Sequence, residues 1–241
     1  CPSNDAFDTY TNAFALREDD SLWAWGYNGE GNLGNGTTES ALSPVKILDD
    51  VAEIETDINM YTNLSFAIKK DGSLWGWGYN RYGQLCTGNT EPVLLPVKIT
   101  DNVKDYCPLY ASLYFVKQDN TLWGSGFNIS SFSNDQPELT SPVLLQENVD
   151  HIQTIDDTVF SFGTNGSLSI CGYNDVVEIN DSFDSPYEID RRKILDNVAW
   201  IDGVCGDIFA MTNDGKLMNF SVVTVYDGKV QPTKPVEIPL P

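Results

Sequence analysis

The ten residues Asp71–Asn80, DGSLWGWGYN, nearly copy Asp19–Asn28, DDSLWAWGYN, and this repetition decides the fold. The phrase recurs in weaker form three more times. Its leucine stands at Leu22, Leu74, Leu122, Leu168 and Leu217, so successive copies lie 52, 48, 46 and 49 residues apart. A nearly constant period of about 50 residues is typical of proteins that build one structural unit several times.

Each copy contains a predicted β-hairpin. A turn dipeptide shortly precedes each leucine: Asp19-Asp20, Asp71-Gly72, Asp119-Asn120, Asn165-Gly166 and Asp214-Gly215. Asp-Gly and Asn-Gly suit two-residue hairpin turns, because both central residues of such turns have positive φ. An apolar, β-prone run comes before each dipeptide and a second run follows it, so we predict two antiparallel strands joined by a two-residue turn.

Two further short strands recur in the repeat. One begins with proline, as PVKI, PVLL, PYEI or PVEI, at Pro44, Pro96, Pro142, Pro186 and Pro235. The other begins with valine, at Val51, Val103, Val149 and Val198. We therefore predict an all-β fold, a β-propeller of about five four-stranded blades, in a single domain over 1–241 with repeats at approximately 1–50, 51–102, 103–148, 149–197 and 198–241. The alternative is an open β-solenoid, which the tight antiparallel hairpins disfavour.

The pattern FAIKKDGSLWGWGYNRYGQL … PVKI … V resembles the regulator of chromosome condensation repeat, and in particular its bacterial secreted and surface members. The resemblance covers nearly the whole chain and implies a β-propeller. The family often places His-Ser or His-Thr before the first hairpin strand, whereas this chain has Asn12-Ala13 and Leu64-Ser65 at two of these places. Family propellers commonly have seven blades, and five repeats are visible here. The last unit stops at PVEIPLP without its fourth strand, and Cys1 aligns with Ala52 inside such a strand. We therefore expect CPSNDAF at 1–7 to complete the last blade, the alternative being a piece of a longer protein.

Charge and composition narrow the possible partners. The chain carries 35 acidic and 14 basic residues, a net charge of -21. Because nucleic-acid binding relies on Lys and Arg contacts to phosphate, we predict no nucleic-acid partner and favour a basic protein. No apolar run of about 18 residues is present, so we predict no membrane span. We also expect the protein to be a monomer. The five cysteines lack the spacing of a zinc site.

Catalytic patterns are weak. The single histidine, His151, has no triad partner at a recognisable spacing, and no phosphate-cradling glycine motif precedes a helix. The acidic segment 174–184, NDVVEINDSFD, lacks the spacing of an EF-hand loop. We predict that the protein is not an enzyme and that it has no cofactor and no metal site. The six Asn-x-Ser/Thr sequons, at Asn35, Asn63, Asn128, Asn165, Asn180 and Asn219, leave glycosylation open.

One face of the propeller is the candidate binding surface. The two strands of each hairpin are antiparallel, so the loop before the hairpin and the loop after it lie on the same face. The Asp-Gly turns lie on the opposite face. That face carries aromatic and acidic side chains, a composition found in protein-binding surfaces. The predicted binding residues are Tyr10, Tyr61, Tyr110, Asp157, Asp207, Tyr27, Tyr79, Tyr82, Phe127 and Tyr173. The alternative is that the Tyr-Asn pairs brace the loops, and we expect Trp23, Trp25, Trp75 and Trp77 to pack blade against blade.

These observations favour a non-catalytic protein-interaction module that presents an aromatic and acidic face and works outside a bacterial cell or on its surface. Three alternatives remain open: an inhibitor of a secreted enzyme such as a β-lactamase, a glycan-binding or glycan-cleaving propeller, and guanine-nucleotide exchange on a small GTPase. The sequence does not identify the partner.

Overall fold

The computed structural model describes residues 11–58, 63–109, 111–127, 139–156, 158–173, 188–189, 193–204, 206–224 and 229–239. These residues form β-strands, turns and loops with no helix, and hence no helix long and apolar enough to cross a membrane. The strands are β1 (Asn12–Leu16), β2 (Leu22–Gly26), β3 (Ala41–Leu48), β4 (Val51–Ile58), β5 (Asn63–Lys69), β6 (Leu74–Gly78), β7 (Val93–Thr100), β8 (Val103–Leu109), β9 (Ser112–Lys117), β10 (Leu122–Gly126), β11 (Leu139–Gln146), β12 (Val149–Ile155), β13 (Thr158–Gly163), β14 (Leu168–Tyr173), β15 (Glu188–Ile189), β16 (Lys193–Leu195), β17 (Val198–Val204), β18 (Asp207–Thr212), β19 (Leu217–Thr224), β20 (Lys229–Pro232) and β21 (Val236–Ile238).

The strands assemble into five successive sheets. The described strands of the first sheet are β1-β2-β3, the second is β4-β5-β6-β7, the third is β8-β9-β10-β11 and the fourth is β12-β13-β14-β16. The fifth is β17-β18-β19-β21, and β19 also pairs with β20, which pairs in parallel with β15. Each valine-initiated strand pairs with the hairpin that follows it, as Ile54 opposite Ala67 shows. The predicted all-β class is confirmed.

The hairpin turns differ from the prediction. In the second sheet Gly72 N donates to Lys69 O at 2.9 Å and Lys69 N donates to Ser73 O at 2.9 Å, which closes a three-residue loop. Only the last loop residue has positive φ, Gly72 at 78°, and the same bonding occurs at all five turns. This is a type I turn followed by a left-handed residue and a bulge. The predicted two-residue turn was wrong, because the Asp side chain favours the right-handed conformation by accepting a hydrogen bond from Ser73 N at 2.9 Å.

The core lies between consecutive sheets. Because side chains alternate along a strand, each hairpin presents one face to the preceding sheet and the other to the next. In the second sheet Ala67 and Trp77 pack against the first, whereas Phe66 and Leu74 pack against the third. Two further apolar clusters join the third sheet to the fourth and the fourth to the fifth. Sheets stacked in this way are packed as the blades of a propeller are.

The terminal sheets have one face each without a described sheet against it. On the fifth sheet Trp200, Val204 and Phe209 are exposed, although Phe66 at the position equivalent to Phe209 is fully buried. The segment 1–7, predicted to complete the last blade, lies outside the described residues.

Backbone hydrogen bonds tie each turn to the next one. Val51 N donates to Asp20 O at 3.0 Å in the first turn, and Lys70 N in the second turn donates to Asp50 O at 2.8 Å. The connection between sheets is therefore bonded to the hairpin turns on both sides. The pattern recurs at three more connections, through Asn102, Asn148 and Asn197, each with positive φ. This bonding fixes consecutive sheets at a repeated spacing and holds the turn face rigid.

Candidate protein-binding face

Two long loops, 27–40 and 79–92, build the described centre of the face opposite the turns. Each is organised by one fully buried asparagine. Asn80 Nδ2 donates to Thr87 Oγ1, Asn89 O and Glu91 O, each at 3.1 Å, while its Oδ1 accepts from Leu85 N at 2.9 Å. Asn28 makes the equivalent bonds in the first loop. These asparagines brace the loops, which is the role that the sequence analysis gave as the alternative for the Tyr-Asn pairs.

Each loop also reaches the following sheet. Trp77 Nε1 and Ser65 Oγ of the second sheet donate to Asn32 O of the first loop, at 3.0 and 3.3 Å. Gly36 N donates to Leu94 O at 2.8 Å, and Gly88 N of the second loop donates to Thr140 O at 2.9 Å. Both loops are thus hydrogen-bonded to the following sheet, which makes this face a preorganised surface.

An aromatic cluster crosses from the second sheet to the third on this face. The ring centroids of Tyr79 and Tyr82 are 6.0 Å apart, and those of Tyr82 and Phe127 are 5.5 Å apart, with tilted planes in both pairs. All three side chains are half-buried. Burial raises the pKa of Tyr79, and hydrogen bonding to Tyr82 and the charge of Arg81 oppose the rise. The structure thus brings together three of the predicted residues, with Arg81 as a neighbour that the sequence analysis had not selected.

The remaining predicted residues are not part of this cluster. Tyr27 is half-buried and its hydroxyl lies against Gly29. A Cβ on residue 29 would be only 2.0 Å from the Tyr27 hydroxyl oxygen. Asp207 is exposed and accepts a hydrogen bond from Ser221 Oγ at 2.8 Å. Tyr173 ends β14, and of its position only the backbone pairing with Thr158 is described. Tyr10, Tyr61, Tyr110 and Asp157 lie outside the described residues.

The turn face carries a different, repeated network. Asp71 Oδ1 accepts from Ser73 Oγ at 2.5 Å, Ser73 Oγ accepts from Trp75 Nε1 at 2.8 Å, and the Lys69 ammonium lies 5.4 Å from the Trp75 ring centroid. The first and third repeats have the same arrangement around Trp23 and Trp123. The Ser or Thr hydroxyl bond lowers the pKa of Asp19, Asp71 and Asp119. Trp75 therefore has a structural role at the turn, whereas Trp77 packs between sheets as predicted.

The first strands of the sheets, β4, β8, β12 and β17, form the inner edges, which approach one another. Cα atoms of β4 and β8 come within 8 Å. Acidic residues lie here: Glu53 and Glu55 on β4 are exposed, and Asp105 on β8 is half-buried. Burial raises the pKa of Asp105, whose Oδ2 accepts from Ile152 N at 2.7 Å. The sequence analysis missed these residues, although Glu53 and Asp105 both stand two positions after the initial valine of their strand.

Chemical groups suited to catalysis are few in the described part of the chain. The His151 ring stacks on Phe162 with centroids 4.2 Å apart, and its Nδ1 lies 3.0 Å from Asp150 Oδ2. Burial raises the pKa of the Cys86 thiol to about 12, so this cysteine is protonated and a poor nucleophile at neutral pH. In the described ranges no three His, Cys, Asp or Glu side chains are arranged to hold a metal ion.

The stacked sheets and the braced loop face define a β-propeller-type repeat protein. Models of the regulator of chromosome condensation (RCC1) repeat match residues 19–55, 56–84 and 71–106. Residues 19–106 therefore contain RCC1 repeats.

Curated relatives match part of the chain. The ultraviolet-B receptor UVR8 of Arabidopsis thaliana is 32% identical over 90 residues, which are 37% of this chain and 20% of the relative. Human protein RCC2 is 35% identical over 82 residues, 34% of this chain and 16% of the relative. The chain spans at most a fifth of the length of these relatives.

Solved structures match nearly the whole chain in fold. Human WBSCR16 has a TM-score of 0.62 at 16% identity, covering 95% of this chain and 65% of that one. Yeast RCC1 (Prp20), solved with Kap60, has a TM-score of 0.60 at 17% identity, covering 94% and 61%. The predicted β-propeller fold is confirmed.

Proposed function

We propose that this chain is a non-catalytic module that binds a protein partner through the aromatic cluster Tyr79, Tyr82 and Phe127. The observation that carries the proposal is the clustering itself. Three half-exposed rings from two sheets lie within 6.0 Å of their neighbours on a face where the loops are hydrogen-bonded in place. Aromatic groups in a rigid setting are typical anchors of protein interfaces, because little side-chain entropy is lost on binding.

Similarity to RCC1-repeat proteins supports a binding role. The structure of yeast RCC1 (Prp20) was solved with Kap60 bound. Prp20p from Saccharomyces cerevisiae has binding properties to Gsp1p and histones. RCC1-repeat proteins act more generally as regulators and interaction modules. Arg81 next to the cluster offers a planar donor group for partner carbonyl or carboxylate oxygens.

The test compares a site variant with a matched control in affinity capture from an extract of the source organism. Tyr82→Ala/Phe127→Ala removes the two outer rings of the cluster. Leu42→Ala/Leu95→Ala removes two side chains that are 79% and 59% exposed on strands β3 and β7. We expect the first variant to lose a specific partner by about tenfold or more, as for interface hot spots, and the second to retain it. Equal retention by both variants, with unchanged circular dichroism spectra, would refute the proposal.

We also propose, from the sequence resemblance, that the protein works outside a bacterial cell. Immunodetection in washed cells and in culture medium checks this. Recovery only from the cytoplasmic fraction would contradict it.

A further inference from the structure

The face of the fifth sheet that points away from the fourth carries an exposed apolar patch. Strand pairing places Trp200 opposite Met211 and Asp202 opposite Phe209, and Val204 continues the same side of β17. The residues that alternate with them belong to the apolar cluster shared with the fourth sheet. Trp200 is 46% exposed, Val204 66% and Phe209 39%. We call Trp200, Asp202, Val204 and Phe209 the fifth-sheet patch, because exposed apolar residues grouped in this way mark an interaction surface.

Trp200 departs from the pattern of the repeat. The equivalent position, two residues after the initial valine of the strand, is Glu53 in the second sheet, Asp105 in the third and His151 in the fourth. Glu53 remains exposed although the third sheet packs on the same face of the second sheet. A further sheet stacked on the fifth in the same way would therefore leave position 200 exposed too. Sheet stacking does not account for a tryptophan at this position, whereas binding of another molecule does.

The charged groups of this face are acidic. Asp202 lies between Trp200 and Val204, and Asp207 lies opposite Val204. The positions of β17, β18 and β19 that pair on this face contain no lysine and no arginine. The whole chain has a net charge of -21, so the acidic groups of two copies would repel one another across a shared contact. Charge complementarity therefore favours a partner with basic groups beside an apolar surface.

The dimensions of the patch suit a single helix. Trp200 and Val204 are four residues apart on β17, a distance of about 13 Å along the strand, and Phe209 lies about 5 Å to the side on the neighbouring strand. An α-helix is about 10 Å wide with its side chains and rises about 1.5 Å per residue, so about 9–12 residues cover the patch. An added β-strand would instead pair with an edge of the sheet and leave this face uncovered.

We propose that the fifth-sheet patch binds a basic amphipathic helix of a protein partner. The apolar side of the helix covers Trp200, Val204 and Phe209, and lysine or arginine side chains beside it reach Asp202 and Asp207. Trp200 is the central anchor, because large aromatic side chains contribute most to contacts of this kind. The patch shares no residue with the aromatic cluster of the loop face, so this function goes beyond the proposed one and does not depend on it.

Three synthetic peptides test the chemistry of the partner. The probe is the fluorescein-labelled amphipathic peptide KLLKALLKKLLK, titrated with the full chain and followed by fluorescence anisotropy at about 0.15 M salt, where distant charges are screened. The peptide ELLEALLEELLE reverses the charge, and KLLKPLLKKLLK breaks the helix. We expect saturable micromolar binding of the first peptide and at least about tenfold weaker binding of the other two. No saturable binding of the first peptide, or equal binding of either of the others, would overturn the proposal.

Trp200→Glu separates apolar contact from net charge. The variant carries the residue that the second sheet has at this position and makes the chain more acidic. Non-specific attraction alone would then strengthen binding of the basic peptide, whereas loss of the anchor should weaken it about tenfold. The matched control is Leu144→Glu, since Leu144 is 47% exposed on β11, and it should change the affinity less than about twofold. Equal affinities of the two variants would overturn the proposal.

Asp202→Asn is a conservative variant that reports on the patch even if Trp200→Glu fails to fold. It should weaken binding of the basic peptide about threefold, because a charge-assisted hydrogen bond becomes a neutral one. Unchanged affinity would count against the contact with Asp202 and overturn the proposal. Sedimentation of the parent as a dimer that Trp200→Glu dissociates would assign the patch to a second copy, and would overturn it as well.

The fifth-sheet patch and the aromatic cluster can be tested separately. Tyr82→Ala/Phe127→Ala should leave the titration with the basic peptide unchanged. Loss of peptide binding in that variant would contradict an independent fifth-sheet patch, whereas loss of protein capture alone concerns only the loop face.

Discussion

The indole Nε1 of Trp77 donates a hydrogen bond of 3.0 Å to the backbone carbonyl of Asn32, 45 residues earlier in the chain. Trp77 is fully buried and belongs to the apolar cluster between the first two sheets. In the next repeat Ser125 takes the tryptophan's position, and its Oγ donates to Gln84 O at 3.0 Å. The link between a loop and the following sheet is therefore kept although the side chain changes.

Trp77→Ala should destabilise the protein far more than Trp75→Ala. The first variant opens a cavity between two sheets and leaves Asn32 O with one donor fewer, so we expect a loss of about 3–5 kcal/mol. Trp75 is half-buried and contacts Lys69 and Ser73, so its loss should be about 1–2 kcal/mol. Urea unfolding followed by circular dichroism measures both, and similar losses would contradict the assignment of Trp77 to the core.

Asn80→Ala should loosen the loop 79–92. The variant leaves four groups of the loop without their bond to Asn80, among them the buried Leu85 N, and we expect a loss of about 2–4 kcal/mol. Asn89→Ala, in the exposed part of the same loop, is the matched control and should cost less than about 1 kcal/mol. Limited proteolysis should cut the loop of the Asn80 variant first, and equal cleavage of both variants would count against the bracing role.

Gly126→Ala and Gly88→Ala separate backbone strain from steric clash. Both glycines have positive φ, 99° and 79°. A Cβ at Gly88 meets nothing within 4 Å, so only the strain of about 1 kcal/mol applies. A Cβ at Gly126 would lie 2.2 Å from Ala111 O, and the strand β9 would have to move, so we expect a loss above about 3 kcal/mol. Thermal unfolding compares the two variants, and equal melting temperatures would refute the clash.

Acid should weaken the turn face. Hydrogen bonds from Ser73 lower the pKa of Asp71 from its ordinary 3.8, so the folded state binds this proton less readily than the unfolded state. The stabilisation is therefore present above about pH 4 and is lost as the pH falls through the lower, folded-state pKa. Asp71→Asn keeps the acceptor oxygen but not the charge. We expect its melting temperature to fall less between pH 6 and pH 3 than that of the parent, and an equal fall would contradict the linkage.

Local patterns predicted the repeat, the hairpins and the all-β class, because the alternation of apolar residues and the turn dipeptides act over a few residues. Trp77 could be assigned to packing between sheets for the same reason. The turn type could not be predicted correctly, since the Asp71 side chain selects between two loop lengths through its bond to Ser73.

The aromatic face was only partly accessible to sequence reasoning. Tyr79, Tyr82 and Phe127 were predicted as members of one surface, but their contact depends on how the second sheet is placed against the third. The Tyr106 hydroxyl has no hydrogen-bond partner within the described residues, and its position in the field of Glu53 and Glu55 depends on the approach of β4 to β8.

The sequence by itself determined which residues form strands and which face of each strand is apolar, because side-chain alternation is a property of the extended backbone. Tertiary structure alone decided which side chains from different repeats meet. Those contacts follow from the packing of one sheet on the next and from the hydrogen bonds that join each turn to the following one. Residues about 50 positions apart become neighbours in this way, and no pattern within a single repeat specifies their distance.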